Sequence, residues 1–305
     1  MSDANKEKHL RRIRRQDKMA TGLLVVIVAF VLVLLTAMVV YILVSGSGKL
    51  FDIDFLTGKP QQFKTGGGIG PELFNSFYLL FLTLLISLPI SLGAAIFLSQ
   101  YAPDNWVTGT AKTAIEALSS LPSIVVGLFG FLFLVLHLGW GFSVIAGAVA
   151  LTMFNVPILV RVIQQALEGV PRSQRDAGLA MGLTRWEATV HILLPAAMPA
   201  IVTGVVLSAG RVFGEAASLI FTAGQSAPML DFGNFDLSSP TCPWNVFRPA
   251  ETLAVHIWKI NSEGVVPDLA AISDGSAAVL LVCVLTFNIF ARFIGKLLEK
   301  RLTSE

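Results

Sequence analysis

The chain alternates long apolar runs with short polar breaks, and the runs share one characteristic length. They cover 20–44, 74–98, 118–137, 141–160, 196–223 and 276–294. Each approaches the about 20 residues that a helix needs to cross a hydrocarbon layer. The third and fourth form one apolar stretch, too long for a single span. Gly139-Trp140-Gly141 divides it at a turn-prone triplet, which suits two helices joined tightly. Pro89 and Pro157 fall inside predicted helices. Membrane helices tolerate such prolines when neighbours satisfy the freed carbonyls. The pattern predicts an all-α integral membrane protein of six transmembrane helices.

The run from Gly22 to Val44 exceeds the about 7–15 residues of a signal-peptide core, and no small-residue cleavage site follows it. It reads as an uncleaved first span. The expected organisation is a basic tail over 1–19, the first span at 20–44 and a loop over 45–73. A core of five spans follows over 74–294, and the chain ends in a second basic tail over 295–305. Two further loops interrupt the core at 161–195 and 224–275. The outer loops carry the Gly66-Gly67-Gly68 run and Pro228, Pro240, Pro243 and Pro249, which mark irregular connections. No repeat with a period of 20–50 residues is visible.

Charge gives this topology a direction. Lys6, Lys8, Arg11, Arg12, Arg14, Arg15 and Lys18 precede the first span. Arg161, Arg172, Arg175 and Arg185 follow the fourth, and Arg292, Lys296, Lys300 and Arg301 close the chain. Six spans place all three clusters on one face, which the positive-inside rule makes cytoplasmic. The other face receives only Lys49, Lys59, Lys64, Arg248 and Lys259. Both termini are therefore expected in the cytoplasm, and the chain is expected as a multi-pass membrane protein.

Composition narrows the function classes. Hydrophobic residues make up 54% and charged ones 14%, with a mean hydropathy of +0.72. One soluble core cannot absorb that much apolar surface, so the lipid bilayer is the first partner. A net charge of +2 argues against a nucleic-acid partner. Cys242 in a polar loop and Cys283 in an apolar run read as free thiols without metal-ligand spacing. The four histidines, His9, His137, His191 and His256, are scattered, so neither a catalytic constellation nor a metal site is expected. Asp231, Asp236, Glu251, Glu263, Asp268 and Asp274 read as a solvated outer surface, and Trp244 and Trp258 as headgroup anchors. No G-x-x-x-x-G-K-[ST] motif is present. Nucleotide chemistry is accordingly expected on another polypeptide, with no cofactor on this one.

Two features carry candidate chemistry. The fifth span contains Arg211-Val212-Phe213-Gly214-Glu215, ionisable residues at a depth where each costs about 2.5–3.5 kcal/mol on insertion scales. At i and i+4 the two side chains share a helix face and can pair. Arg211 suits an oxyanion because guanidinium presents two parallel donors, with Glu215 managing its orientation. The alternative is a self-neutralised pair that joins helices. The second feature is the 161–195 loop. It reads Arg175-Asp176-Ala177-Gly178-Leu179-Ala180-Met181-Gly182, then nine residues, then Ile192-Leu193-Leu194-Pro195. Leu183, Trp186, Val190 and Leu194 recur at helical spacing. Gly182 permits a tight turn, and Pro195 fits the first turn of the next helix. Such a loop could be a plain connector.

Its residues resemble the EAA loop of ABC-importer permeases, in which an acidic-Ala-Ala-x-x-x-Gly block precedes I-x-L-P by nine residues. Asp176, Ala177, Gly182, Ile192, Leu194 and Pro195 match in place, with Asp for Glu and Gly178 for the second Ala. From about Gly66 to Gly224 the chain further resembles the PstA family of bacterial phosphate-importer permeases. The matching blocks are Gly67-Gly68-Ile69 with Pro71, Leu121-Pro122-Ser123-Ile124-Val125-Val126-Gly127, Val170-Pro171 with Arg175, and Arg211 with Gly214-Glu215. Gln100, Gln165 and Ser218 depart from the family's usual Glu, Glu and Pro.

The resemblance implies a type I ABC-importer permease bundle that carries inorganic phosphate. Its substrate path would involve Arg211 and Glu215. Its ATPase-coupling loop would use Arg175, Asp176, Ala177, Ala180, Gly182, Ile192, Leu194 and Pro195. The implied partners are a second permease (PstC-like), ATPase subunits (PstB-like) that bind ATP and magnesium, and an extracytoplasmic phosphate-binding protein (PstS-like). Other readings are the PstC sister family, a permease for sulfate or molybdate, and an ATPase-independent secondary transporter. The last would be expected to show inverted repeats.

Overall fold

The computed structural model describes residues 3–61, 65–226, 228–263 and 267–302. Lys64, one of the expected outer-face charges, and residues 303–305 of the expected C-terminal tail lie outside them. Every regular element among the described residues is helical. The chain opens with α1 (Asp3–Leu50), which runs unbroken through both the basic tail and the Ser45–Gly48 segment expected to start a loop. A short α2 (Ile53–Thr57) leads to α3 (Gly70–Ile96), which ends in a π-helical turn, Phe97–Tyr101. Next come α4 (Trp106–Ser119) and α5 (Ser123–Gly130), the latter continued by a π-helical segment, Phe131–His137. The central α6 (Val144–Glu168) is followed by α7 (Arg172–Ala180) and α8 (Arg185–Ala188). A π-helical turn at Thr189–Leu193 joins α8 to α9 (Leu194–Phe213), beyond which lies α10 (Ala217–Thr222). The chain closes with α11 (Leu253–Glu263) and α12 (Leu269–Leu302).

Five helical stretches are long and apolar enough to cross a membrane, and the α4–α5 pair supplies the sixth crossing. The expected span at 118–137 is shorter than drawn. Residues 106–119 form a separate helix set at 95° to Ser123–His137, and Pro122 marks the corner. That α5 does cross follows from its neighbours. The hydrogen bond from Asn155 Nδ2 to Ser87 Oγ and the bond from Ser91 Oγ to the Val156 carbonyl show α3 and α6 packing in parallel. The chain must therefore return between them. Gly130 lies against Ala150, Leu134 and Val135 share an apolar cluster with Ala146 and Ala150, and only residues 138–143 separate the two helical stretches, so α5 and its continuation run antiparallel to α6 and make that return.

The helices are inverted amphipaths. On α3 the buried stripe is Glu72, Asn75, Ser76, Leu79, Leu80, Thr83, Ser87 and Ser91, at helical spacing, whereas Phe77, Phe81 and Leu85 are exposed. Lipid solvates the phenylalanines as well as a core would, so small polar residues line the helix contacts instead. Asn155 joins three helices, donating to Ser87 on α3 and accepting from Ser208 on α9. Apolar clusters flank this polar layer. One contains Leu79, Leu151, Val212 and Leu219. The other, toward the opposite face, contains Ile96, Leu159, Ile163 and Leu193.

Two expectations about the outer loops need correcting. The 45–73 segment contains α2 and a close backbone contact, in which Gly70 N–H donates to the Gly58 carbonyl. The 224–275 segment is irregular as far as Thr252, as expected, but it contains α11 and is tied down as an ordered cap. Its carbonyls at Val246 and Arg248 accept the first N–H groups of α6, Ile145 and Val144, replacing the partners that a helix start lacks. Asn75 Nδ2 donates to the Glu251 carbonyl, and the Leu253 N–H donates to Ser76 Oγ. Arg248 is buried and donates to Asn75 Oδ1 and to the carbonyls of Pro243 and Pro249. Burial pushes its guanidinium down to about 10. Trp244 packs edge-on against Phe74 and Tyr78, so it holds the cap to α3.

Candidate functional site

The segment between α6 and α9 is built as a helical hairpin. Pro171 precedes α7, whose last turn is closed by Gly182. Gly182 has φ +88°, its N–H donates to the Leu179 carbonyl and the Leu183 N–H donates to the Gly178 carbonyl. This paired C-terminal cap demands the left-handed backbone that glycine adopts without strain. Nothing stands near the position a Gly182 Cβ would take. Glycine is required there by conformation, not by close packing.

The close-packed glycine is Gly178, which the sequence reading did not single out. It is buried, and a Cβ there would overlap the tip of Ile192. Ile192 and Leu183 therefore fold the second arm of the hairpin onto α7. Thr184 starts that arm with a reciprocal cap: its Oγ1 accepts the Glu187 N–H, and Glu187 Oε2 accepts the Thr184 N–H at 2.8 Å. Asp176, Ala177, Ala180, Met181 and Trp186 are exposed on the hairpin. Leu183, Val190 and Leu194 are half-buried, so Trp186 departs from the apolar face that the helical spacing predicted. Arg175 leans the other way and reaches Gln100 Oε1 at 3.4 Å, tying α7 to the end of α3. Pro195 stands in the first turn of α9, as its sequence position implied.

The second candidate, Arg211 with Glu215, lies at a break. The expected fifth span at 196–223 is two helices, α9 and α10, separated at Gly214–Ala216. Arg211 occupies the last turn of α9, while Glu215 is already beyond it. The helical i, i+4 geometry is lost, and no ion pair joins the two among the described residues. Glu215 Oε1 instead accepts the Ser218 N–H, satisfying a free donor at the start of α10. Arg211 is exposed, with its guanidinium over the Phe154 ring at 4.2 Å. Asn155 and Ser208 lie within one helical turn of this pair. The structure thus presents an un-neutralised guanidinium, oriented from behind by an aromatic face, beside a polar layer in mid-bundle.

A third grouping runs against the expectation that the histidines are scattered and the outer acids solvated. Glu251 and His256 are buried, and they meet Glu72 of α3. The sequence did carry one signal for this site: a glutamate in the first turn of an otherwise apolar span is costly unless something receives it.

Relatives place the hairpin and the bundle in a known setting. Residues 87–304 match the family described as binding-protein-dependent transport system inner membrane component. The probable ABC transporter permease protein YqgI of Bacillus subtilis (strain 168) is 48% identical over 288 residues, spanning 94% of this chain and 98% of the relative. The phosphate transport system permease protein PstA of Xylella fastidiosa (strain 9a5c) is 31% identical over 250 residues, spanning 82% and 80%. Among solved structures, a bacterial alginate ABC transporter superposes with TM-score 0.61 at 16% identity, covering 93% of this chain and 96% of that one. The MetNI methionine ABC transporter gives 0.55 at 18%, covering 76% and 94%. Both likenesses concern the fold. The chain belongs to the binding-protein-dependent transport system inner membrane components and has the bundle of a type I ABC-importer permease.

Proposed function

We propose that this chain is the transmembrane permease subunit of an ATP-driven inorganic phosphate importer, forming half of the translocation path. The observation that carries the oxyanion part is Arg211, a guanidinium exposed at the break between α9 and α10 and free of Glu215. A planar donor pair of this kind matches two phosphate oxygens. The choice of phosphate is supported by the relatives described as phosphate transport system permeases.

In this reading the α7–α8 hairpin faces the cytoplasm and inserts into a PstB-like ATPase that binds ATP and magnesium. Both termini share that face. A PstC-like permease completes the path against α9, and a PstS-like binding protein delivers phosphate to the outer cap. Nucleotide binding on the partner biases the bundle between outward- and inward-open states through the hairpin. This chain performs no bond-making chemistry.

The deciding experiment is ATP-driven uptake of labelled phosphate into vesicles containing this chain with its three partners. Phosphate should accumulate only with ATP, and a tenfold excess of sulfate should leave uptake unchanged. Full competition by sulfate or molybdate would reassign the cargo to another oxyanion. Uptake without any nucleotide-binding subunit would make the chain a secondary transporter.

A further inference from the structure

Where α3 meets the outer cap, four ionisable side chains converge in a buried space. Glu72 sits in the first turn of α3, Glu251 at the end of the cap, and His256 and Lys259 on α11. Glu72 is 0% exposed, Glu251 3% and His256 5%. One donor atom from each of these three lies within 4.8 Å of the others. His256 Nδ1 is 2.9 Å from Glu251 Oε1, and Lys259 Nζ is 3.1 Å from Glu251 Oε2. Lys259 also donates to the Gln225 carbonyl at 2.7 Å.

Glu72 is the member that the protein leaves unanswered. Neither of its carboxylate oxygens has a hydrogen-bond partner among the described residues. Burying a carboxylate without donors is among the most costly arrangements a protein can hold, and a cation removes that cost. Lys259 does not supply it, being committed to Glu251 Oε2 and Gln225.

We infer that Glu72, Glu251 and His256 form a binding site for a divalent first-row transition-metal ion, a zinc-type clasp between the outer cap and the span α3. The donor set argues for this class. Imidazole with carboxylates suits zinc and its neighbours, whereas magnesium and calcium favour oxygen alone. Glu72, Glu251 Oε1 and one His256 nitrogen give three donors, and solvent would complete a four-coordinate site. Zinc bonds of about 2.0–2.2 Å place tetrahedral donors roughly 3.4 Å apart, so donors separated by up to 4.8 Å need to close by up to about 1.4 Å, while the 2.9 Å His256–Glu251 pair opens slightly. Lys259 then holds the outer oxygen of Glu251, orienting the ligand and offsetting part of the negative charge. Glu72 lies far in sequence from Glu251 and His256, which are neighbours in the chain, so the ion fastens the cap to the first core span.

The test uses the full-length chain purified in detergent, first stripped with chelator and then given zinc alone. Gel-filtered protein should retain about one zinc per chain, and cobalt in its place should give the visible absorption of a four-coordinate site. Glu72→Gln and His256→Gln should each lower zinc affinity at least tenfold. Zinc should raise the melting temperature of the unsubstituted chain by a few degrees, and neither variant should show the rise. The wild-type measurements stand even if a variant misfolds. A folded wild-type chain that holds no zinc above the chelated blank, or binds it equally in both variants, overturns the inference.

Discussion

Single residues decide how the hairpin is shaped and, in the proposed function, how the path is charged. Gly182 and Gly178 stand four apart, yet each is glycine for a different reason. Replacing Gly182 by alanine forces a Cβ into the left-handed region and should cost about 1–2 kcal/mol locally. Asparagine, which tolerates that region, should cost less. Thermal melts and co-purification with the ATPase subunit check this ranking; alanine and asparagine behaving alike would contradict it. The un-neutralised Arg211 makes a second claim. Arg211→Ala should lower phosphate uptake at least tenfold while the complex still assembles. Glu215→Gln, which keeps an acceptor for the Ser218 N–H, should change uptake far less. Equal losses in the two variants would show that they act as a pair after all.

Between elements, the governing quantity is how closely backbones approach. A Cβ on Gly127 of α5 would lie 2.6 Å from Ser218 Cα of α10, and one on Gly204 of α9 would overlap Val162 of α6. Neither neighbour yields easily, since one is backbone and the other a β-branched side chain with a stiff rotamer. Gly127→Ala and Gly204→Ala should each destabilise by about 1–3 kcal/mol, the usual cost of overpacking. Gly22→Ala and Gly109→Ala, where nothing stands nearby, serve as the controls.

The same contrast explains which elements were legible in the sequence. Crossings announce themselves by apolar length, so the spans at 20–44, 74–98 and 276–294 all lie within observed helices. Breaks inside an apolar run leave no such mark. Gly214 to Ala216 is too short an interruption to lower the hydropathy of its surroundings, and α4, of which only the last two residues fall in the expected 118–137 span, has too little apolar length to mark itself. The hairpin was legible because its glycine, capping and proline positions are local. Glu72, Glu251 and His256 were not, because only tertiary packing brings α3, the cap and α11 together.

At the scale of the whole molecule, six crossings return the chain to the face on which it began. In the proposed orientation that face is cytoplasmic, which gives a direct prediction. A cysteine replacing Gly233 in the outer cap should react with a membrane-impermeant maleimide in intact cells. One replacing Trp186 on the hairpin should react only after permeabilisation. Both sites are exposed in this chain, and expressing it without its proposed partners keeps them so. Labelling of Trp186→Cys in intact cells would invert the topology. The buried Cys242 and the half-buried Cys283 form a low background in both experiments.

The first helix adds a matter of timing. Its principal neighbour is α12, approached where Gly46 lies against Asp274 and Ala278, and most of its apolar surface is exposed. A segment made early therefore docks against one made more than two hundred residues later. At roughly 5–20 residues per second, about 10–50 s separate the synthesis of the two faces. Through that interval α1 must stand alone in lipid, which its unbroken apolar length allows. A ribosome that stalls before α12 would leave behind an inserted helix with its docking face unfilled.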